Sequence, residues 1–363
     1  MFTEKAIKNA DACRFCWMCR HVCPVGLVTG KEINNARPKG LLVSMEPRGI
    51  PLDEYGMGTM YECCLCKACT NDCVTGYDPP VYILEARTKA VVEDSLPKNV
   101  RKVLDRALEG SMYQDSPDEK LTVRIKELPE KAEVLFFIGE IGRRSGSKVA
   151  QAYMDLLEKA KINYTSLTDE PTSGAQLGEL MGHVEDVRNR ASFCMERLSG
   201  IGAKTVVVLD PTDCAFFKHE CAEWGILPNL EFVTATEYMW NLIKDAKIVP
   251  GKKEFSATYH DPCRLARDLE ETEPARKIME AMGIKLKEMF LNRKLTKCCG
   301  GALLHQNYPE MSKTVTEGRW GDVSWAGEKM LVTACPACAV HFQDTVPKGM
   351  ESEDLFILLN SVC

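Results

Sequence analysis

The sequence predicts an α+β protein with several domains, in which a mainly helical N-terminal domain precedes two repeated α/β domains. Two cysteine runs with the same spacing lie within the first 73 residues, and segments with helical apolar spacing follow them. From residue 133 onward, short apolar runs typical of strands alternate with helix-like segments, as in β–α–β units. The 363 residues, of which 45% are hydrophobic, are enough for two or three domains with ordinary cores.

Both runs have the spacing Cys-x2-Cys-x2-Cys-x3-Cys, which bacterial ferredoxins use to bind iron–sulfur clusters. The first run consists of Cys13, Cys16, Cys19 and Cys23, followed by Pro24, and the second consists of Cys63, Cys66, Cys69 and Cys73. Val74 stands in place of the second proline, and Cys64 is an extra thiol inside the second run. Zinc is the weaker alternative, because zinc sites pair two Cys-x2-Cys units and do not use a triple run.

The fourth cysteine of each run serves the other cluster in two-cluster ferredoxins. We therefore expect two [4Fe-4S] clusters with crossed ligand sets. The first expected set is Cys13, Cys16, Cys19 and Cys73, and the second is Cys63, Cys66, Cys69 and Cys23. Arg14, Arg20 and Lys67 lie inside the runs, where they either offset cluster charge or are ordinary solvated residues. Trp17 either shields a cluster from water or is a core aromatic.

The helical domain is expected to span residues 1–110. Apolar residues spaced by three and four predict helices over 81–93 and 96–109, and Gly110 ends the second one. Residues 111–131 are rich in Ser, Asp, Pro, Glu and Lys, so they are expected to form a linker.

Two α/β repeats are expected over residues 132–250 and 251–363. Strands are predicted over 133–139, 205–210, 256–259 and 331–333, and helices over 147–161 and 273–282.

The second repeat gathers five cysteines from three separate segments. They are Cys263, the adjacent pair Cys298 and Cys299, and the pair Cys335 and Cys338. Thiolates are soft ligands that select iron–sulfur clusters or zinc, and Gly300 lets the backbone approach a bulky inorganic core. Because five thiols exceed the four that a cubane takes, we expect a third [4Fe-4S] cluster that is either noncubane or a cubane with one free thiol. Buried structural cysteines are the simpler alternative.

The first repeat matches the second without its cysteines. The alignment places residues 208–214 over 332–338, 172–174 over 298–300, and 137–140 over 260–263. It replaces four ligand positions by Glu140, Thr172, Ser173 and Pro211, and keeps Cys214 as the one remaining thiol. We therefore expect that the first repeat binds no cluster, and that Cys194, Cys214 and Cys221 are ordinary buried or free thiols.

Two ferredoxin runs followed by paired Cys-Cys-Gly domains resemble the heterodisulfide reductase D-subunit family. That family is similar to the iron–sulfur subunits of glycolate oxidase and of anaerobic glycerol-3-phosphate dehydrogenase. The resemblance implies an oxidoreductase subunit that takes up electrons at the ferredoxin runs and delivers them at the Cys-Cys-Gly site, or the reverse. It also implies that a noncubane Cys-Cys-Gly cluster can cleave a disulfide directly, but the loss of one ligand set departs from that pattern.

Three functions stay open from the sequence. Electron transfer within an oxidoreductase complex is favoured, because the chain carries three apparent redox sites. The alternatives are a thiol–disulfide reductase acting at the Cys-Cys-Gly site and a structural protein held together by its clusters. No dinucleotide or phosphate-loop motif is found, so a flavin is expected on a partner. That partner is a flavoprotein dehydrogenase or another redox subunit, or a membrane subunit linked to quinone.

The net charge and the hydropathy of the chain limit its expected partners and its expected location. A net charge of −6 and a pI near 5.7 argue against nucleic acid as a partner. The N-terminal residues lack the apolar core of a secretion signal, and the apolar runs are too short to span a bilayer. The expected location is therefore cytoplasmic, with membrane contact only through a partner, and the 18 cysteines are expected to be mostly metal ligands.

His260 lies three residues before Cys263. It either donates a hydrogen bond to a cluster sulfur or is a histidine held by core hydrogen bonds.

Overall fold

A computed structural model describes residues 2–363. It confirms the α+β architecture, with helices first and then two four-stranded parallel sheets. No helix within residues 2–363 is long and apolar enough to cross a membrane.

The N-terminal part is helical throughout. Its helices are α1 (Glu4–Asp11), α2 (Met18–Val22), α3 (Pro24–Thr29), α4 (Ala36–Met45), α5 (Glu54–Tyr61), α6 (Ala68–Asn71), α7 (Pro79–Val92), α8 (Lys98–Glu109) and α9 (Glu119–Lys126), with short 3₁₀ turns at Glu32–Asn34 and Glu46–Arg48. Helix α7 is central, because α1, α4 and α5 all pack on it. Helix α9 lies inside the segment expected to be a linker, and Asp118 caps it by accepting the Leu121 N–H at 2.7 Å.

The first sheet has the strand order β2-β1-β3-β4, all parallel. Its elements are β1 (Val134–Phe137), α10 (Ser147–Lys159), β2 (Tyr164–Thr165), α11 (Ala175–Met181), α12 (Glu185–Ser199), β3 (Thr205–Val208), α13 (Pro211–Phe216), a π-helical turn at Phe217–Cys221, β4 (Glu231–Thr234) and α14 (Ala235–Lys244). The central strands are buried along their length, as expected for a parallel sheet covered by helices on both faces.

The second sheet repeats this order as β6-β5-β7-β8. Its elements are β5 (Ser256–His260), a π-helical turn at Arg264–Asp268, α15 (Pro274–Ala281), β6 (Lys285–Leu286), a 3₁₀ turn at Arg293–Leu295, α16 (Leu303–Asn307), α17 (Pro309–Trp325), β7 (Met330–Thr333), α18 (Pro336–Asp344), β8 (Glu351–Asp354) and α19 (Leu355–Asn360). Both sheets therefore have the same strand order and the same parallel direction, as expected for two repeated units.

The two copies share one apolar core. Helix α10 of the first copy packs on α19 of the second, where the rings of Tyr153 and Phe356 meet edge to face with centroids 4.8 Å apart. Phe136 stacks on the other side of Tyr153 at 4.9 Å. Buried aromatic pairs of this kind add about 0.5–1.5 kcal/mol beyond the area they bury.

Candidate metal centres

The two ferredoxin runs have the same backbone conformation. Phe15 and Leu65 have φ values of 56° and 49°, and Trp17 and Lys67 have φ values of 70° and 58°. Left-handed conformations are uncommon for residues with side chains, and strain of this kind concentrates at binding sites. In each run, the residues at these two positions therefore turn the backbone so that successive cysteine side chains point toward one centre.

Backbone amides point at the cysteine sulfurs in all three cysteine-rich regions. The N–H groups that donate to sulfur are those of Phe15 to Cys13 (3.4 Å), Gly26 to Cys23 (3.4 Å), Leu65 to Cys63 (3.3 Å), Gly300 to Cys298 (3.4 Å), Gly301 to Cys299 (3.3 Å) and Cys338 to Cys335 (3.4 Å). Such donors favour the thiolate form, which is the form that binds metal. The donor set therefore fits anionic iron–sulfur clusters.

The thiols of the expected second set line one cavity. They are Cys23, Cys63, Cys66 and Cys69, and Cys64 lines the same cavity. Lys39 also lines it and is buried, with its ammonium group donating to the carbonyl oxygens of Ile33 at 3.0 Å and Asn34 at 2.9 Å. A buried cation at this position offsets the negative charge of a thiolate-bound cluster.

The thiols of the expected first set lie together near the surface. Burial raises the pKa of Cys19, and the nearby thiols of Cys13, Cys16 and Cys73 raise it further. A backbone hydrogen bond from Arg37 acts in the opposite direction and lowers this pKa. Cys16 is exposed.

Aromatic side chains surround the first run on the solvent side. Phe15 is 48% exposed and Trp17 is 41% exposed. The guanidinium of Arg37 lies 3.5 Å from the centroid of the Trp17 ring, which is a cation–π contact. Trp17 is thus held in place although it faces water.

The second run is buried against the second α/β copy instead. Leu65, the counterpart of Phe15, is only 3% exposed. Lys67 forms an ion pair with the buried carboxylate of Asp268, and Arg267 donates to the carbonyl oxygen of Cys66. These contacts clamp the second run against the C-terminal half.

Six thiols line the cavity at the edge of the second sheet. They are Cys64, Cys263, Cys298, Cys299, Cys335 and Cys338. The sulfurs of Cys299 and Cys338 are 3.3 Å apart. Hydrogen bonding with the Cys298 and Cys338 thiols lowers the pKa of Cys299, although burial opposes this. The five cysteines predicted from three segments are therefore brought to one place.

Two side chains of α17 form hydrogen bonds with the loop that carries Cys298 and Cys299. Thr316 donates to the carbonyl oxygen of Cys299 at 2.7 Å, and Ser312 donates to that of Gly300 at 2.8 Å. Gly300 has a φ of 85°, and a Cβ there would lie 2.8 Å from the Ser312 carbonyl oxygen. Only glycine fits this position without moving the helix.

His260 is fully buried at the same site. One of its ring nitrogens and the sulfurs of Cys299 and Cys338 all lie within 4.8 Å of one another. The Arg319 guanidinium donates to Nδ1 of His260 at 3.3 Å, and Nε2 has no protein partner among residues 2–363. Burial, and then the positive charge of Arg319, holds the pKa of His260 well below its usual range. Because Nδ1 accepts, the neutral ring carries its proton on Nε2, which is free to donate to a sulfur.

Thiols of the second run and of the C-terminal cavity neighbour one another directly. Cys64 lines the cavity of the second expected set together with Cys66, and it also lines the C-terminal cavity together with Cys298. Interaction with Cys298 lowers the pKa of the Cys64 thiol, but burial and the Cys66 and Cys63 thiols outweigh it and bring that pKa to about 12. Cys66 and Cys298 belong to two different expected ligand sets, so these sets share a wall.

The sequence alignment of the two copies is wrong by one residue at the third segment. Val208 pairs with Phe137 in the first sheet, and Thr333 pairs with His260 in the second. Since Phe137 and His260 are the aligned ends of β1 and β5, Val208 corresponds to Thr333, one residue later than the alignment had it. Accordingly, α13 begins at Pro211 and α18 begins at Pro336.

The corrected register changes which residues replace the cysteines in the first copy. Asp210 and Asp213 stand at the positions of Cys335 and Cys338, so Pro211 and Cys214 are not at ligand positions. Ser173 donates to Asp213, which reproduces in oxygen the contact between Cys299 and Cys338. The first copy thus presents carboxylates and hydroxyls, which are hard donors that do not suit iron–sulfur clusters.

Among the carboxyl groups that replace thiols in the first copy, those of Asp210 and Asp213 are buried and that of Glu140 is partly buried. Burial raises the pKa of Glu140 and of Asp210, and raises that of Asp213 still further with the help of the Asp210 charge. Cys214 is buried beside them, and burial raises its pKa to about 12, which keeps it a neutral thiol. Cys194 and Cys221 are also buried.

Two buried cations near the sites were not predicted from the sequence. Lys39 lines the cavity of the second expected set and Arg319 donates to His260, and both lie on helices among residues of ordinary polar pattern. No motif marks them, because their function depends on contacts across the fold. The sequence did show Cys64 as an extra thiol, but not that it neighbours Cys298.

One family model and several known proteins match this chain. The cysteine-rich CCG domain matches residues 257–343. The chain is 26% identical to the D subunit of "dihydromethanophenazine:CoB--CoM heterodisulfide reductase" from Methanosarcina acetivorans, over 98% of this chain and 95% of that one. It is 23% identical to a "probable membrane-anchored ferredoxin" of Chromohalobacter salexigens and 22% identical to "EtfAB:quinone oxidoreductase" of Syntrophomonas wolfei. It spans 58% and 57% of the lengths of these two relatives. The resemblance expected from the cysteine motifs is confirmed.

Proposed function

We propose that this member of the iron–sulfur proteins related to the heterodisulfide reductase D-subunit family is an electron-transfer subunit of an oxidoreductase complex. The observation that carries the proposal is that the cavity of the second ferredoxin set and the cavity of the C-terminal thiols share a wall, because Cys64 lines both of them. The thiols on the two sides of this wall are expected ligands of two different clusters. Electron tunnelling falls off steeply with distance, so ligand sets that share a wall suit fast transfer between them.

The three expected ligand sets suit a path from the surface to the interior. The first set is exposed at Cys16, the second lines the cavity that also holds Lys39, and Cys64 lines both that cavity and the cavity of the third set. Iron–sulfur clusters, when bound, accept and release single electrons. The cysteines Cys13, Cys16, Cys19 and Cys73 would hold the first cluster, Cys63, Cys66, Cys69 and Cys23 the second, and Cys263, Cys298, Cys299, Cys335 and Cys338 the third.

The protein around these sites supports one-electron reduction. Lys39 supplies a buried positive charge near the second set, and the neutral ring of His260 lies beside two thiols of the third with its N–H unpaired among residues 2–363. Both features favour the more negative, reduced state of an iron–sulfur cluster.

The partner is a redox protein that docks at the first run. Phe15, Trp17 and Met18 form an exposed apolar collar around Cys16, with exposed fractions of 48%, 41% and 50%. Exposed apolar patches with aromatic anchors mark protein interfaces. A flavoprotein dehydrogenase is the partner class that fits, because the chain lacks a nucleotide-binding motif of its own. A quinone-linked membrane subunit would place the chain at a membrane surface through that contact.

Disulfide reduction by this chain alone is the weaker candidate. A disulfide that bridges two Cys-Cys-Gly clusters needs two such sites, and the first copy offers Glu140, Asp210 and Asp213 in place of thiolates.

The test uses the full chain, purified and handled without oxygen. Iron and sulfide analysis with EPR of the reduced and oxidised protein should give three cluster signals. Cys13→Ser and Cys66→Ser should each remove one ferredoxin-type signal and destabilise the N-terminal part, because cluster binding contributes to folding. A protein that retains all signals in both variants, or that cleaves disulfides rapidly without a partner and loses this on Cys298→Ser, would overturn the proposal.

A further inference from the structure

The first ferredoxin run presents five consecutive exposed residues, 14–18, with the thiol of Cys16 at their centre. The corresponding residues of the second run, 64–68, are all buried or half-buried. Of the two ferredoxin-type sets, the first is therefore the one that a protein partner reaches directly. The chemistry of the side chains around Cys16 then decides which kind of partner fits.

Guanidinium groups frame the exposed aromatic rings of this stretch. The guanidinium carbon of Arg20 lies 5.8 Å from the centroid of the Trp17 ring, and that of Arg37 lies 3.5 Å from the same centroid. The Arg37 group also lies 5.8 Å from the centroid of the Phe15 ring. Such cation–π contacts hold the rings at the surface, so the apolar collar has a basic rim.

Two further basic groups of this rim lie beside Asp11. Arg14 donates to the backbone carbonyl oxygen of Asp11 at 3.2 Å and forms no ion pair within residues 2–363. Arg48 lies 3.7 Å from the Asp11 carboxylate, and its side chain is exposed. One carboxylate thus faces two guanidinium groups, and neither of them is held tightly by it.

The carboxylate of Glu32 is likewise shared by two arginines. It lies 2.7 Å from Arg37 and 3.8 Å from Arg20. Asp72, which precedes Cys73, has one carboxylate oxygen buried away from solvent. We call residues 14–18 together with Arg20, Arg37 and Arg48 the first-run patch. Its four guanidinium groups outnumber the carboxylates that face them, on a chain whose net charge is −6.

We propose that the first-run patch docks an acidic redox protein whose docking face carries carboxylates around an apolar centre. The inference rests on the proposed function, and it names the surface chemistry of the partner. Guanidinium groups pair with carboxylates in a planar, two-bonded geometry, and complementary charges at an interface chiefly speed association. One electron then passes between the docked proteins, so the partner is oxidised as the first site is reduced, or the reverse.

An anionic lipid surface would meet the same basic and aromatic side chains. The stacking of Arg37 on Trp17 argues against it, because insertion of the ring would bring a charged group toward hydrocarbon, which is costly. A protein face with carboxylates pairs with the guanidinium groups without moving them from water into hydrocarbon.

The experiment uses the full chain, purified without oxygen, and two redox proteins of opposite charge. Reduced flavodoxin is the acidic probe, and cytochrome c is the basic probe. Second-order rate constants of electron exchange are measured by stopped flow at about 0.02 M and about 0.5 M salt, between which the Debye length falls from about 20 Å to about 4 Å. We expect the rate constant with flavodoxin to fall about tenfold or more, and that with cytochrome c not to fall. The affinity for oxidised flavodoxin, measured by calorimetry, should fall over the same range.

Charge-reversal variants place the effect on the patch. Arg14→Glu and Arg48→Glu should each lower the rate constant with flavodoxin at low salt, with iron content and midpoint potentials unchanged. Arg48 is far in sequence from every expected ligand, so it carries the test if Arg14→Glu, next to Cys13, loses iron. Arg188→Glu, which changes an exposed arginine on α12, is the matched control and should leave the rate constant unchanged.

Four outcomes would overturn the inference. They are a rate constant with flavodoxin that ignores salt, no exchange with flavodoxin at all, an equally steep fall with cytochrome c, and equal losses in Arg48→Glu and Arg188→Glu. Binding to phosphatidylserine vesicles that is lost in Trp17→Ala would also overturn it and would assign the patch to a membrane. A parent protein without ferredoxin-type EPR signals would contradict the proposed function, whereas intact signals with exchange that ignores salt would contradict only this inference.

Discussion

The guanidinium of Arg319, on α17, donates to Nδ1 of His260 at 3.3 Å and thereby leaves the imidazole proton on Nε2, in a ring that has one nitrogen within 4.8 Å of the sulfurs of Cys299 and Cys338. An arginine donates only, so this contact selects the tautomer of a buried neutral histidine. Arg319 is itself held by Asp322 at 3.0 Å and by the carbonyl oxygen of Leu291 at 2.9 Å. The second sheet and α17 thus fix the tautomer of a buried histidine beside the thiols.

Replacing His260 by Phe should lower the potential of the C-terminal cluster without removing iron. The equivalent strand end of the first copy already carries a phenylalanine, Phe137. A phenylalanine ring is therefore expected to fit at position 260. The change removes the Nε2–H and leaves the five thiols in place. Redox titration by EPR measures the shift, and His21→Phe, an exposed site near the first run, is the control. Loss of the third signal's iron would instead make His260 a ligand.

Replacing Trp17 by Ala should weaken electron exchange with a protein partner and leave chemical reduction unchanged. Buried tryptophans at interfaces typically contribute about 2 kcal/mol or more, which corresponds to a loss of roughly thirtyfold in affinity. The measurement is the concentration dependence of reduction by the partner flavoprotein, compared with reduction by dithionite. Trp325→Ala removes a tryptophan that is 94% exposed at the end of α17 and should have no effect. Equal losses in both variants would argue against a docking surface at the first run.

Because of the buried carboxyl group of Asp354, the free energy of unfolding should fall as the pH rises through neutrality. Burial raises its pKa from an ordinary 3.8 to about 8, although its carboxylate caps α19 by accepting the Phe356 N–H at 2.8 Å. The folded chain therefore holds a proton that the unfolded chain loses above about pH 4. The stabilisation from this group is complete below that pH and is lost as the pH approaches 8.

Asn at position 354 keeps a capping acceptor and cannot ionise. The Asp354→Asn variant should therefore gain stability relative to the parent between pH 6 and pH 8, by up to about 1.4 kcal/mol for each pH unit. Thermal unfolding without oxygen at the two pH values measures this difference. Asp105→Asn, an exposed carboxylate on α8, is the control and should follow the parent at both pH values. A parallel response of the Asp354 variant and the parent would contradict the prediction.

Much of the fold was predictable because its signals are local. The strands at 134–137, 205–208, 256–260 and 330–333 and the helices α7, α8, α10 and α15 lie where apolar spacing placed them. The cysteine spacings likewise indicated which thiols share a site. The ligation pattern and the domain boundaries at 110, 131 and 250 stay predictions.

The relationships that the sequence did not reveal are contacts between distant segments. Lys39, Arg319 and the approach of Cys64 to Cys298 depend on how α4, α17 and the second run pack, and no spacing rule reports such packing. The register of the two copies was missed by one residue for a related reason. The sequence alignment matched Cys214 to Cys338 because both residues are cysteines. The structure instead matches Pro211 to Pro336, which are the first residues of α13 and α18.

That register leads to the last prediction, which concerns the first copy. Cys214 corresponds to Ala339 and not to a ligand, so Cys214→Ala should leave the iron content and all cluster signals unchanged. Cys299→Ala should lower the iron content, because Cys299 lies 3.3 Å from Cys338 at the centre of the thiol set. Removing a buried sulfur at 214 leaves a small cavity, so a modest loss of stability of about 1 kcal/mol is expected without loss of iron. Iron and sulfide analysis separates the two variants, with Cys194→Ala as a second buried-thiol control. If Cys214→Ala lost iron while Cys194→Ala did not, the first copy would hold a cluster despite its carboxylates, and the equivalence of Asp213 with Cys338 would be wrong.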